Sequence, residues 1–139
     1  MKKTFFISCS ILLVGLLLPG ADSPSRHAID VWLTNCMEKD PSTKGMNACL
    51  GQAYEKWDLE LNRVYLELGG KLDPEARGVL REAQRAWIAF RDRELAWLAK
   101  FYGGLDGTMY SNMLAADRVD LVKRRVLELG SYLDVLRQQ

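Results

Sequence analysis

The chain has 139 residues, room for one domain around one core. Nineteen Lys and Arg balance 18 Asp and Glu, and no basic run alternates with aromatics, which argues against a nucleic-acid partner. Outside the apolar N-terminal run, Cys36, Cys49 and His27 supply too few ligands for a metal centre, so neither metal nor cofactor is expected.

Lys2 and Lys3 precede an apolar run from Phe5 to Leu18, which Pro19, Gly20, Ala21 and Asp22 break. The run is short of the roughly 20 residues that cross a bilayer. Its order of charge, apolar stretch and small residues is that of a secretory signal peptide. Residues 1–22 are therefore expected to be a leader, cut between Gly20 and Ser23, and residues 23–139 a single helical domain. Cys9 is followed by further apolar sequence, so it reads as leader filler rather than a lipid-bearing cysteine. Without Lys2 and Lys3 the chain keeps 17 basic and 18 acidic residues. The expected location is the periplasm or the extracellular space, with no membrane contact after leader removal.

Four helices and no strand are expected. The first spans about residues 25–38, with Ile29, Trp32, Leu33 and Cys36 on one face. Asp40, Pro41 and Ser42 interrupt it, and Thr43 is a suitable N-cap for a second helix over about residues 44–68. Met46, Leu50, Ala53, Trp57, Leu61, Val64 and Leu68 recur on that helix at near-heptad spacing, and Gly69 and Gly70 are read as its end. Cys36 and Cys49 lie either side of the break. An oxidising compartment favours a disulfide between them over two free buried thiols, worth about 3 kcal/mol for a loop this short.

Asp73 and Pro74 open the third helix as N-cap and first-turn proline. It runs to about Tyr102, followed by the glycine-rich stretch Gly103, Gly104, Leu105, Asp106, Gly107, Thr108. The fourth helix covers about residues 111–136, with Leu114, Leu121, Leu129, Tyr132 and Leu136 inward. Short connections make this an all-α antiparallel bundle of three long helices, with a short N-terminal helix tied on by the disulfide.

Polar side chains interrupt the apolar stripes. At about 100° per residue, Leu80, Trp87, Arg91, Glu94 and Leu98 share a narrow arc of the third helix. Arg91 and Glu94 thus lie where the core is expected, and Arg118 and Arg125 do the same on the fourth helix. A buried guanidinium must be paired and hydrogen-bonded. Asp58, Asn62 and Tyr65 share one face of the second helix. The expected network joins Asp58 to Arg91, with Asn62, Tyr65, Gln84, Trp87, Glu94 and Arg125 around them. It either fixes helix register or forms a recognition pocket at its outer end. With a buried carboxylate partner, Arg91→Ala costs about 3–5 kcal/mol. Phe90 and Trp97 lie off the main stripe. A helix with two neighbours buries both, and if exposed together they mark a contact surface.

Catalysis is poorly supported. His27 is expected to be solvated near a frayed end with no nucleophile beside it. The acids alternate with arginines at helical spacing, as on solvated faces. The glycines of residues 103–108 either stop a helix or shape a tip that enters a cleft on another protein. Gly104, Leu105, Asp106, Tyr110, Ser111 and Arg118 are the expected partner-binding residues.

Taken together, Cys36 and Cys49; Asp58, Leu61, Asn62 and Tyr65; Leu80, Gln84, Trp87, Arg91 and Asp92; Gly104 and Gly107; and Arg125 and Leu129 resemble the lysozyme-inhibitor LprI-type N-terminal domain family of small secreted bacterial proteins. The resemblance spans about Cys36 to Leu129. Members often carry a second cysteine pair where this chain has Leu95 and Asp117. The resemblance implies a helical, exported, non-enzymatic binding protein that inhibits a lysozyme-type cell-wall hydrolase. The alternative is an envelope interaction module without lysozyme inhibition.

Overall fold

The computed structural model describes residues 26–138; the expected leader and Cys9 lie outside them. Four helices follow one another: α1 (Ala28–Lys39), α2 (Thr43–Lys71), α3 (Pro74–Gly103) and α4 (Met109–Arg137). No strand occurs among the described residues.

The helix ends follow local hydrogen-bond chemistry. α2 is capped by Ser42 rather than Thr43: the Ser42 Oγ accepts from the Gly45 amide at 3.0 Å. α3 starts as read, with the Asp73 carboxylate accepting from the Ala76 amide at 2.9 Å and Pro74 in the first turn. Gly69 and Gly70 do not end α2, which continues to Lys71. Arg77 explains the extra turn. Its guanidinium donates to the carbonyls of Gly69 at 2.7 Å and Leu72 at 3.0 Å, acceptors that a helix terminus leaves bare.

The core lies mainly between α2 and α4. Leu50, Ala53, Trp57, Leu61, Val64 and Leu68 of α2 meet Val119, Val122, Val126 and Leu129 of α4, and all are buried. The α2 stripe is the one the heptad spacing gives, except that Met46 is only half-buried. On α4 the inward face is rotated from the expected one. Leu133 is buried, whereas Tyr132 is exposed and Leu114 and Leu136 are half-buried. α4 serves two neighbours. Its valines face α2, and the polar edge carrying Arg125 faces α3.

α1 buries no residue completely. It is held by the Cys36–Cys49 disulfide, by Lys123 Nζ donating to Asp30 at 2.8 Å, and by Trp32 and Leu33 against the core. His27 is not a solvated terminal residue. Its Nδ1 accepts from the Ile29 amide at 3.2 Å, capping α1, and its ring packs 4.4 Å from that of Trp57. α3 lies along α4 and touches α2 least. Among its 30 residues only Gln84 is buried, with Leu80 and Trp87 half-buried against the core.

Candidate functional site

The glycine-rich connection brings the C-terminal end of α3 to the start of α4. Gly107 adopts φ of 125°, a left-handed conformation that suits glycine, and lets the chain reverse within a few residues. Beyond it, Ser111 Oγ donates to the Thr108 carbonyl at 2.7 Å and accepts from Asn47 Nδ2 at 2.9 Å. The first turn of α4 is thereby fixed to the first turns of α2. Tyr102 Oη donates to Asp117 Oδ2 at 2.6 Å, which ties the end of α3 to α4. That hydrogen bond holds the Tyr102 phenol above its ordinary pKa. Asp117 thus takes part in a non-covalent link between these helices.

Beside this junction an open cleft of about 530 Å³ runs between α2 and α4. Asn47, Tyr54, Glu55, Ser111 and Arg118 supply its polar lining, with Leu50, Leu114 and Ala115 beneath. The Arg118 guanidinium stands 5.1 Å from the centre of the Tyr54 ring, a cation–π contact that orients it. Among the described residues it pairs with no carboxylate. Asn47 Oδ1 is buried and accepts no hydrogen bond. The cleft therefore offers a cation with free donors and a spare amide acceptor. Such groups can hold a carboxylate flanked by hydroxyl or amide groups.

Of the expected partner-binding residues, Ser111 and Arg118 line this cleft. Tyr110 and Ser111 line a smaller neighbouring hollow with Tyr102 and Gly107. Gly104, Leu105 and Asp106 are exposed at the tip and line neither hollow. The sequence reading missed Asn47 and Tyr54. The i, i+7 spacing of these two on α2, pointing the same way, was the available signal.

The expected polar network is smaller than read and split in two. Arg91 reaches Asp58 Oδ1 at 3.5 Å, but its shorter bonds, 2.8 and 3.0 Å, go to its neighbour Asp92. The two carboxylates are 41% and 60% exposed, so Arg91 has no buried acid partner. Arg125 Nε donates to Gln84 Oε1 at 3.0 Å and its Nη1 to Glu128 at 2.7 Å. Trp87 connects the halves, with the guanidinium carbons of Arg91 and Arg125 at 5.7 and 5.8 Å from its ring centre. Asn62 is exposed, and neither it nor Tyr65 or Glu94 hydrogen-bonds into the cluster; Tyr65 packs against the apolar core instead. The Arg125–Gln84 bond thus joins α3 to α4, and the longer Arg91–Asp58 bond joins α3 to α2.

Among the described residues no group of His, Cys, Asp or Glu side chains is arranged to hold a metal ion, and no helix is long and apolar enough to cross a membrane. His27 caps α1 through Nδ1 and stacks on Trp57, and its Nε2 lies 3.8 Å from Glu60 Oε1.

Known proteins share this framework. An uncharacterized protein of Rhizobium meliloti is 32% identical over 112 residues, covering 69% of this chain and 77% of that protein. The uncharacterized protein YecT of Escherichia coli is 33% identical over 76 residues, 47% of this chain and 46% of its own length. A crystal structure of a protein from Burkholderia thailandensis superposes with a TM-score of 0.75 at 31% identity, covering 81% of this chain and 56% of that one. The chain thus spans about half the length of two of these three relatives. The sequence profile of lysozyme inhibitor LprI matches residues 34–129, a span that takes in the disulfide, the core and both arginine contacts to Trp87. With most of its length inside that match, the chain belongs to the lysozyme inhibitor LprI family.

Proposed function

We propose that this chain is an exported binding protein that inhibits a lysozyme-type cell-wall hydrolase, without catalysing a reaction itself. Membership of the LprI family over residues 34–129 carries this reading. The α2–α4 cleft supplies a physical means. Lysozymes commonly cleave with a pair of carboxyl groups. Arg118, held over Tyr54 and lacking a carboxylate of its own, can take such a group in two parallel hydrogen bonds. Ser111 and Tyr110 stand at the same end of the molecule, and the tip residues Leu105 and Asp106 supply further contact surface. Arg118, not the tip, is the inhibitory group on this reading. A near-neutral overall charge gives little long-range attraction to a basic enzyme, so inhibition should depend only weakly on salt.

Lytic assays with purified protein and several lysozyme types test the proposal. Inhibition is expected, and Arg118→Ala should weaken it at least tenfold while leaving the melting temperature unchanged. Absence of inhibition of every lysozyme type at micromolar excess would remove the proposal. A specific observation favours a second reading, an envelope interaction module: α3 exposes a large apolar face. Capture from periplasmic extract, with lysozyme added in parallel, separates the two.

A further inference from the structure

α3 buries one residue and exposes several large apolar ones. Phe90 is 50% exposed and Trp97 57%, and Val79 and Phe101 are exposed with them. At about 100° per residue these four, with Ala83 and Ala86, project within an arc of about 60°. The arc lies about a quarter-turn away from the face that carries Gln84 and Arg91 against α2 and α4. A continuous apolar stripe along a 30-residue helix is more than scattered surface hydrophobics require.

The edge of this stripe is charged in halves. Glu75 and Glu82 lie on it near the start of α3, Arg93 and Lys100 near its end. Each basic residue follows an acidic one by 18 residues, five full turns, so all four point the same way. Glu75, Arg93 and Lys100 form no ion pair among the described residues. The stripe is graded in size as well, with Ala83 and Ala86 in the first half and Trp97 and Phe101 in the second.

We propose that α3 is the interface of a two-fold homodimer in which two copies of this helix pair antiparallel. The two-fold axis passes near Phe90, so that Phe90 meets its own copy. Trp97 then falls opposite Ala83, and Phe101 opposite Val79, large against small. The acidic half of each edge runs beside the basic half of the other. A parallel pair would set both tryptophans against each other and carry the two charged edges to opposite sides of the contact, where they could not meet. This self-complementarity is what an isologous contact demands and what an unrelated partner would not. The proposal is independent of the lysozyme reading. It leaves the α2–α4 cleft of each copy uncovered and points the two tips in opposite directions, since the ends of α3 lie about 45 Å apart.

Sedimentation equilibrium of the full mature chain between about 1 and 200 μM tests it. A concentration-dependent dimer is expected. Phe90→Glu and Trp97→Glu should each weaken association at least tenfold with unchanged helix content and melting temperature. Charge reversal gives the orientation. Arg93→Glu with Lys100→Glu, or Glu75→Lys with Glu82→Lys, should weaken self-association. Mixing these two variants, or combining all four changes in one chain, should restore it. A chain that stays monomeric throughout the range overturns the proposal, even if another protein binds this face. So does a dimer that both the Phe90 and the charge-reversal variants leave intact.

Discussion

Gln84 Oε1 accepts from Arg125 Nε at 3.0 Å, and this single bond joins the buried side chain of α3 to α4. The Arg125 side chain is only 10% exposed, whereas the carboxylates that Arg91 meets are largely hydrated. The two arginines therefore differ in what their removal leaves behind. Arg125→Ala strands a buried acceptor and should cost about 1–3 kcal/mol. Arg91→Ala leaves two acids in water and should cost about 1 kcal/mol or less. Urea unfolding of the two variants ranks them. The reverse order, or a loss of about 3–5 kcal/mol at Arg91, would show that its partners are buried after all.

The disulfide acts on a helix that has little else. Cys36 and Cys49 are 13 positions apart, and α1 buries no residue fully. Replacing both by Ser should lower stability by about 3 kcal/mol through the freed loop. α1 should loosen before the α2–α4 pair does. Thermal unfolding with and without reductant gives the first number, and protease cutting within residues 28–41 reports the second. Equal resistance of the two forms in that segment would contradict it.

Acid should weaken the molecule through α2. The Arg63 guanidinium holds the Glu60 carboxyl below its ordinary range, and Arg137, then Arg63, does the same for Glu67. Because folding lowers these pKa values, the unfolded chain takes up protons first. The stabilisation is present above the usual glutamate pKa of about 4.3 and is lost as pH falls through and below it. Glu67→Gln should flatten this acid limb and, through lost contact with Arg137 across 70 residues, fray the end of α4. A stability curve between pH 3 and 6 that is identical for wild type and Glu67→Gln would reject the assignment.

Gly45 should resist replacement although it sits inside a helix. Alanine is ordinarily favoured there by about 0.5–1 kcal/mol. A Cβ on Gly45, however, would run into the side chain and backbone carbonyl of Asp40, the residue that leads from α1 into α2. Gly45→Ala should therefore lower the melting temperature, whereas Gly51→Ala, with open space around it, should raise it. Equal shifts of the same sign at both positions would refute this.

The parts of the fold legible in the sequence are those with one neighbour or one chemical cause. α2 faces mainly α4, and its heptad stripe named the core almost residue for residue. Asp73 and Pro74 located the start of α3 because capping is local. α4 was harder, since leucines on two faces concealed a valine face. Gly69 and Gly70 misled because the signal that overrode them, Arg77, lies on the next helix. The same holds for the site. Ser111 and Arg118 are polar positions legible on α4 alone, whereas Asn47 and Tyr54 join them in one cleft only once α2 lies beside it. Arg91 reaches Asp58 on a neighbouring helix, but how far its acids stay in water depends on how shallowly α3 sits, which no periodicity records.

That shallow seating gives the molecule two lifetimes. A long rod held by Leu80, Gln84, Trp87, a few arginine bonds and a phenol at its far end should lift away more readily than the valine-lined pair and the disulfide open. Its backbone hydrogens then trade with heavy water through a partial opening, and those of α2 wait for complete melting. Whatever grips α3 from outside, by slowing that lifting, prolongs the shorter lifetime and leaves the longer one as it was.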